Sequence, residues 1–241
     1  MKNTLFTGAG IAIITPFNED GSINYERLGE MIDYQIENGT DAIIICGTTG
    51  EASTMSDEEH LECIRFAVKK AAKRVPVIAG TGSNDTAYAI KLSKEAEEIG
   101  ADGLLLVTPY YNKTTQRGLI AHFTAIADAV NIPIILYNIP GRTGMSIEIS
   151  TAKVLAKHKN IVAVKEASGN IGYTAKLIAA CGDDLDVYSG NDDMIVPIMS
   201  LGGKGVISVL SHVLPKETHL MAQYCLENNF AEASKLQIKY L

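Results

Sequence analysis

The stretch VPVIAGTGSNDTAYAIKLSKEAEEIGADGLLLVTP, residues 75–109, contains the pattern that decides the fold. Two short apolar runs, VPVIAG at 75–80 and GLLLVTP at 103–109, flank an amphipathic segment that begins near Asp85. Gly100 follows this segment, and glycine is favoured where a helix ends in the left-handed conformation. The pattern predicts a strand, a helix and a second strand, which together form one βαβ unit of a parallel sheet.

The same alternation of apolar runs and helix-like segments occurs eight times along the chain. The predicted strands are GIAIITP (10–16), AIIICG (42–47), VPVIAG (75–80), GLLLVTP (103–109), IPIILYN (132–138), IVAVKEA (161–167), DVYSG (186–190) and GVISVL (205–210). Eight repeats without a change in composition predict an α/β protein with a closed (β/α)8 TIM barrel, in which residues 1–241 form a single domain. An open doubly wound sheet is the alternative that this pattern leaves open.

Two further signals predict helix boundaries. Ser56 is followed three residues later by Glu59, which is the pattern of a capping box at the start of a helix, and the amphipathic pattern then continues to Lys73. Gly39 follows the amphipathic segment that begins near Tyr25, so a helix is expected to end there as well.

The composition favours a protein that acts on small molecules. The 241 residues are 46% hydrophobic and 20% charged, and the net charge of −7 argues against a nucleic-acid partner. The segment GAGIAIITPF (8–17) is too short to cross a membrane. Four scattered cysteines and five histidines show no ligand spacing, so we expect a cytoplasmic protein without a bound metal. No glycine-rich dinucleotide fingerprint follows the first strand, so no nicotinamide cofactor is expected either.

Lys165 is the first candidate for chemistry, because four apolar residues lead directly into its ammonium group in IVAVKEAS. In a barrel of this kind the active site lies at the carboxyl ends of the strands, where Lys165 is predicted. Burial disfavours the charged form of a lysine, and the neutral amine is the form that attacks a carbonyl. A strand-end salt bridge with Glu166 is an equally good interpretation of the residue alone.

Three more polar segments follow predicted strands. Thr48 and Thr49 lie in the small-residue turn GTTG, whose backbone N–H groups and hydroxyls suit a carboxylate, although such turns also occur where the chain merely reverses. Tyr137 ends the fifth strand and is either a proton-transfer group or a core tyrosine bonded to a backbone carbonyl. Arg142 lies in the PGRTG turn and is suited to a carboxylate, although a solvated surface arginine is the ordinary alternative.

Four segments together resemble the signature segments of the dihydrodipicolinate synthase family: GTTGE (47–51), TPYYN (108–112), YNIPGRTG (137–144) and VKEASGN (164–170). They occur in the order and with a spacing similar to those of the family, and the resemblance extends from FTGAGIAIITPF (6–17) to GVISVL (205–210). It implies a Schiff-base condensation of pyruvate with L-aspartate 4-semialdehyde on the path to diaminopimelate and lysine, with no cofactor.

The resemblance also implies a role for each candidate residue. Lys165 forms the imine, Thr48 and Thr49 hold the pyruvate carboxylate, and Arg142 binds the carboxylate of the semialdehyde. Tyr137 transfers protons through a relay with Thr48 and Tyr111. Tyr111 reaches in from a neighbouring subunit, so a homo-oligomer, a dimer or tetramer, is expected. The main chain near two further residues, Gly190 and Ile207, shapes the pyruvate pocket.

The resemblance leaves two other functions open, and the chain differs from the family in two ways. Pyruvate-dependent aldolases of the sialic acid and sugar-acid type share the lysine and the tyrosine, but Arg142 matches the synthase pattern. The family's usual C-terminal helical extension is mostly lacking, which raises a second alternative, an inactive barrel that acts as an assembly or binding partner. At the positions of the family's lysine-binding site the chain keeps four residues but has Asp57 and Tyr88 at two others, so inhibition by lysine is not expected. The four that it keeps are Ser53, His60, Asn84 and Tyr110.

Overall fold

The structure, a computed structural model, describes residues 2–241 and contains a closed barrel of eight parallel strands in sequential order. The strands are β1 (Gly8–Ala12), β2 (Ala42–Ile45), β3 (Val77–Gly80), β4 (Gly103–Val107), β5 (Ile134–Asn138), β6 (Ile161–Glu166), β7 (Asp186–Ser189) and β8 (Gly205–Ser208). Pairing of β1 with β8, in which Gly8 lies opposite Gly205, closes the sheet. The closed barrel that the eight repeats predict is therefore confirmed, and the open doubly wound sheet is excluded.

Helices surround the barrel and alternate with its strands. They are α1 (Tyr25–Glu37), α2 (Asp57–Ala71), α3 (Thr86–Ile99), α4 (Gln116–Asp128), α5 (Pro140–Thr143), α6 (Ile149–Leu155), α7 (Ile171–Cys181), α8 (Ile195–Ser200), α9 (Pro215–Leu226) and α10 (Phe230–Tyr240). The short α5 is an extra turn after β5, and α10 follows the eighth barrel helix and packs on α8 and α9. The largest apolar core lies between the strands and the helix layer.

A smaller core fills the lumen of the barrel. Alternate residues of each strand point inward, as the two-residue period of a strand requires, and they include Ile44, Ile78 and Ile135. At the amino-terminal end of the barrel, Tyr188 stacks on Phe6 with ring centroids 4.3 Å apart, and its hydroxyl donates to the Phe6 carbonyl oxygen at 2.6 Å. Because this end is filled, the open space in the lumen lies at the carboxyl ends of the strands.

The local helix signals agree with the structure. Ser56 accepts a hydrogen bond from the Glu59 N–H at 3.2 Å, and the Glu59 carboxylate accepts one from the Ser56 N–H at 2.9 Å, so the capping box is present. Gly39 and Gly100 have φ values of +91° and +101° at the ends of their helices. These positive angles are the physical reason for glycine at both positions.

The predicted bounds of the first strand are wrong. The sequence pattern places it at 10–16, whereas β1 ends at Ala12. Ile14 donates its N–H to His212 Nε2 at 3.0 Å instead of to a neighbouring strand, and Pro16 has no N–H to donate. The apolar sequence therefore continues past the point where ladder pairing stops.

Residues 2–241 contain no disulfide bond. All four cysteines are free and buried. Within these residues no group of three or more His, Cys, Asp or Glu side chains is arranged to hold a metal ion. No helix in this part of the chain is long and apolar enough to cross a membrane.

Candidate active site

Lys165 points into the lumen of the barrel near the carboxyl end of β6. Its side chain follows the inward-facing Ala163 at the two-residue period of the strand, and the residue is 6% exposed. Within residues 2–241 its Nζ forms no ion pair and donates no hydrogen bond, and it lies 4.3 Å from the centroid of the Tyr137 ring. Burial lowers the pKa of Lys165 to about 8, with attraction by Asp192 opposing this change and repulsion by Arg142 adding to it. The amine is therefore still mostly protonated at neutral pH, but its neutral fraction is far larger than that of an ordinary lysine.

Glu166 lies on the opposite face of β6 and does not pair with Lys165. Its carboxylate accepts hydrogen bonds from Asn138 Nδ2 at 2.6 Å and from the Ser168 N–H at 2.7 Å. Burial raises the pKa of Glu166, and these hydrogen bonds oppose that effect. The interpretation of Lys165 as a salt-bridge partner of Glu166 is wrong, because adjacent residues of a strand point to opposite faces.

Tyr137 lies beside Lys165 on the neighbouring strand, because the two residues are partners in the register of β5 and β6. The ring is 6% exposed. Its hydroxyl forms no hydrogen bond with another residue of the described chain, so the backbone carbonyl partner expected of an ordinary core tyrosine is not found there. Burial raises the pKa of Tyr137, and Arg142 opposes this effect, so the phenol carries its proton at neutral pH.

The turn with Thr48 and Thr49 begins immediately after β2. The Gly50 N–H donates to the Gly47 carbonyl oxygen at 3.0 Å, which closes the turn. Cys46, the residue before the turn, has a φ of +54°, a conformation that is strained for a residue with a side chain. This reversal brings both threonines to the wall of the cavity that also contains Lys165.

A cavity of about 500 Å³ opens at the carboxyl ends of the strands and joins seven of the eight predicted site residues. They are Thr48, Thr49, Tyr137, Arg142, Lys165, Gly190 and Ile207. Arg142 is carried by α5, and within residues 2–241 its guanidinium has no ion-pair partner. The cavity thus combines an amine, a phenol, two hydroxyls and a free guanidinium, which is a set suited to a small carboxylate with a carbonyl group.

Gly190 lies against the side chain of Lys165. A Cβ added to Gly190 would lie 3.2 Å from Lys165 Cε and 2.7 Å from Ala167 Cβ. A larger residue would therefore displace the lysine or close the cavity. Ile207 forms part of the wall from β8, the strand beyond β7.

Tyr111 is the predicted site residue that the chain does not bring into this cavity. It is 93% exposed and has a φ of +65°, so the loop after β4 holds a large aromatic side chain away from the surface in a strained conformation. No hydrogen bond joins the hydroxyls of Tyr111, Thr48 and Tyr137 within the described chain.

Sequence reasoning missed Asp192 and Asp193, which line the cavity together with Asn191. Asp192 Oδ2 accepts hydrogen bonds from the N–H groups of Val209 at 3.1 Å and Leu210 at 2.9 Å. Polar residues directly after the seventh apolar strand were the available signal, but nothing in the sequence indicates which backbone groups this carboxylate contacts.

A second cavity of about 430 Å³ adjoins the first and shares Thr48, Tyr137 and Arg142 with it. Its other polar lining residues include Ser53, His60, Tyr88 and Tyr110. Asn84 Nδ2 donates to the Tyr110 carbonyl oxygen at 3.2 Å.

Asp57 and Tyr88, at which the resemblance led us to expect a departure from the family, are bonded to each other. The Tyr88 hydroxyl donates to Asp57 Oδ1 at 2.8 Å, and Lys91 Nζ lies 2.9 Å from Asp57 Oδ2. The Asp57 carboxylate is therefore already paired with a cation of the same chain.

The fold and the cavity together define a (β/α)8-barrel protein with a buried lysine of lowered pKa at the carboxyl end of its sixth strand. The sequence profile of the dihydrodipicolinate synthetase family matches residues 5–241. This chain belongs to that family.

Several relatives of this chain are named 4-hydroxy-tetrahydrodipicolinate synthase. The chain is 58% identical to 4-hydroxy-tetrahydrodipicolinate synthase of Acetivibrio thermocellus over 241 residues, which cover 100% of this chain and 82% of the relative. It is 60% identical to the protein of that name from Lachnoclostridium phytofermentans over 238 residues, covering 98% and 81%.

The fold is also similar to solved structures of dihydrodipicolinate synthases. Dihydrodipicolinate synthase of Aquifex aeolicus is 48% identical with a TM-score of 0.95, over 97% of this chain and 80% of that chain. The enzyme of Acinetobacter baumannii, solved in complex with pyruvate, is 44% identical with a TM-score of 0.96, over 98% and 81%.

Proposed function

We propose that this protein is a lyase that condenses pyruvate with L-aspartate 4-semialdehyde to 4-hydroxy-tetrahydrodipicolinate, a step of lysine biosynthesis through diaminopimelate. The observation that carries the proposal is the buried Lys165 amine, whose pKa is lowered to about 8 in a cavity that also contains a free guanidinium. The names of the relatives support the same activity. The proposal includes a single barrel domain, residues 1–241.

The reaction begins at Lys165. Its neutral amine attacks the carbonyl carbon of pyruvate, the carbonyl oxygen leaves as water, and the nitrogen remains bonded to carbon as an imine. Thr48 and Thr49 hold the pyruvate carboxylate at the turn after β2. The imine draws electrons from the neighbouring methyl group, so loss of a proton there gives an enamine. This covalent chemistry is supplied by the lysine, so the proposal includes no cofactor.

Tyr137 is the proton-transfer group of the proposal. Its phenol is adjacent to Lys165 in the strand register, and its hydroxyl has no competing partner within residues 2–241. Because burial raises its pKa, it donates a proton readily only when negative charge develops on a nearby oxygen or nitrogen. Thr48, at the same cavity, connects Tyr137 to the next group of the relay.

Tyr111 is the third member of the relay and acts across a subunit interface. Its exposed, strained position supports this role, because an isolated chain derives nothing from holding the ring away from its surface. The active form is accordingly a homo-oligomer, in which the Tyr111 hydroxyl completes the site of a neighbouring copy.

Arg142 selects the acceptor aldehyde. Its guanidinium lines the cavity without an ion-pair partner among the described residues, so it is available to a carboxylate at the far end of the second substrate. A polyhydroxylated aldehyde of the sugar-acid type has no carboxylate at that end, and the guanidinium would then stay unpaired. The geometry of Arg142 thus favours the synthase activity over the sugar-acid alternative.

The four free, buried thiols are consistent with a reducing compartment, so we place the enzyme in the cytoplasm.

Steady-state kinetics of an Arg142→Ala variant test the assignment of the acceptor. We expect kcat/KM for L-aspartate 4-semialdehyde to fall about a hundredfold or more, because a charge-assisted bidentate contact is lost, while the half-saturating pyruvate concentration for imine trapping changes less than threefold. Arg117→Ala, a change on the exposed first turn of α4, is the control. Equal losses for both substrates would contradict the role of Arg142.

A further inference from the structure

Asp192 connects two loops at the mouth of the cavity. It begins a short 3-10 helix (Asp192–Met194) after β7, and its Oδ2 accepts the two N–H groups of Val209 and Leu210 after β8. Both loops are at the carboxyl ends of the strands. These two hydrogen bonds fix the carboxylate next to the wall that contains Gly190 and Ile207.

The second oxygen of this carboxylate has no partner. Asp192 Oδ1 is buried and forms no hydrogen bond within the described residues. A buried carboxylate oxygen without a hydrogen bond is costly, so its presence requires an explanation. Across the same cavity, the Lys165 amine also lacks an ion-pair partner in the described chain. Two groups of opposite charge therefore share one cavity without touching.

We propose that Asp192 is a positioning residue whose negative charge stabilises the cationic iminium that Lys165 forms with the keto acid. The inference rests on the proposed function, because it assumes that the imine forms. When the neutral amine adds to the carbonyl carbon and the oxygen leaves as water, one proton is taken up, so the nitrogen, neutral before the reaction, carries a positive charge as the iminium. A fixed carboxylate at a distance compensates this charge without competing for the nitrogen as a contacting ion pair would.

The charged and titratable groups around Lys165 come from several elements. Arg142 on α5 opposes the positive charge, and the phenol of Tyr137 on β5 is uncharged. Glu166 is on the other face of β6 and is bonded to Asn138. Asp193, next to Asp192, also lines the cavity but is exposed, so solvent screens its charge.

The lysine titration tests the electrostatic part without pyruvate. Competitive acetylation at a series of pH values, read out by peptide mass spectrometry, gives the pKa of Lys165 in the wild type, in Asp192→Asn and in Asp193→Asn. Asparagine keeps an oxygen for the Val209 and Leu210 N–H groups and removes the charge. We expect the pKa to fall by about one unit in Asp192→Asn, because the Asp192 charge that raises it is lost, and to stay unchanged in Asp193→Asn.

Imine trapping with pyruvate and borohydride tests the link to the reaction. At pH 6.5 Lys165 is cationic before and after imine formation. Asp192 therefore attracts both states equally and has little effect on the pyruvate concentration that half-saturates the enzyme. At pH 9 a neutral amine becomes a cation, so Asp192→Asn should raise the half-saturating pyruvate concentration severalfold more than at pH 6.5. A purely structural role of Asp192 predicts equal losses at the two pH values, and that result would overturn the inference.

The two readouts separate the inference from the proposed function. If the wild type forms no adduct, the proposed function fails, whereas the Lys165 titration still reports the effect of Asp192. If Asp192→Asn does not fold, Asp192→Ser supplies an uncharged hydroxyl acceptor in its place. An unchanged Lys165 pKa in the uncharged variant that folds would contradict the inference.

Discussion

A buried lysine of lowered pKa destabilises the folded protein, and this cost can be measured. Replacement of Lys165 by methionine keeps an unbranched side chain of similar length and removes the amine. In the unfolded chain the lysine is protonated up to its ordinary pKa of 10.5, whereas in the fold the pKa is about 8. Between these values the unfolded state binds more protons, so the stability of the wild type rises as the pH increases from about 8 to 10.5.

The magnitude follows from the two pKa values. They differ by about 2.5, and each unit corresponds to 1.36 kcal/mol. Burial of the charged lysine therefore lowers the free energy of unfolding of the wild type by about 3 kcal/mol below pH 8. Lys165→Met should therefore be about 3 kcal/mol more stable than the wild type at pH 7. The gain should shrink steadily above pH 8 and be nearly lost at pH 10.5.

Urea denaturation at pH 7, 9 and 10.5 measures this difference, at one protein concentration because assembly also contributes to stability. Lys176→Met, a change on the exposed face of α7, is the matched control and should alter the free energy of unfolding by less than ~0.5 kcal/mol at every pH. A Lys165→Met variant that is less stable at pH 7, or a gain that does not change with pH, would show that burial of the Lys165 charge does not destabilise the fold.

Three other predictions concern the helix cap, the second cavity and a histidine below the barrel. Ser56→Ala removes the capping box of α2 and should lower the free energy of unfolding in urea by about 1 kcal/mol, with Ser150→Ala on α6 as the control. Lysine at low millimolar concentration should not inhibit the condensation strongly, because Tyr88, in the wall of the second cavity, already donates its hydroxyl to Asp57; strong inhibition in a lysine titration would contradict this. Hydrogen bonding to Asp41 raises the pKa of His219. The stability that protonated His219 adds to the fold is therefore complete below pH 6.5 and is lost as the pH rises through the pKa of His219 in the folded protein. His219→Gln should therefore lower thermal stability at pH 6 and leave it nearly unchanged at pH 9.

The strands and helix ends could be predicted because their signals are local. Short apolar runs such as those of β4 and β6 indicate buried strands by themselves, and the Ser56 capping box depends on residues only three positions apart. The end of β1 could not be predicted in the same way, since it depends on a hydrogen bond from Ile14 to His212, almost two hundred residues later. Closure of the sheet is a similar long-range event, because it requires β8 to pair with β1.

Among the site residues, strand periodicity explains both the success and the failure of sequence reasoning. The alternation of inward and outward side chains excludes a contact between Lys165 and Glu166, although their adjacency in sequence suggested one. The exposure of Tyr111 and the free oxygen of Asp192 depend on loop conformations, for which the sequence contains no periodic signal. The resemblance identified the residues that converge on the cavity, and the structure adds the charges that surround Lys165.

The role of Lys165 as the Schiff-base residue is tested by incubating the protein with pyruvate, reducing it with borohydride and locating the adduct by peptide mass spectrometry. Omission of pyruvate and the Lys165→Ala variant are the controls. We expect an adduct of pyruvate confined to Lys165. A folded protein that forms no adduct, or one modified equally at exposed lysines, would contradict a Schiff base at Lys165 and favour an inactive barrel that acts as a binding or assembly partner.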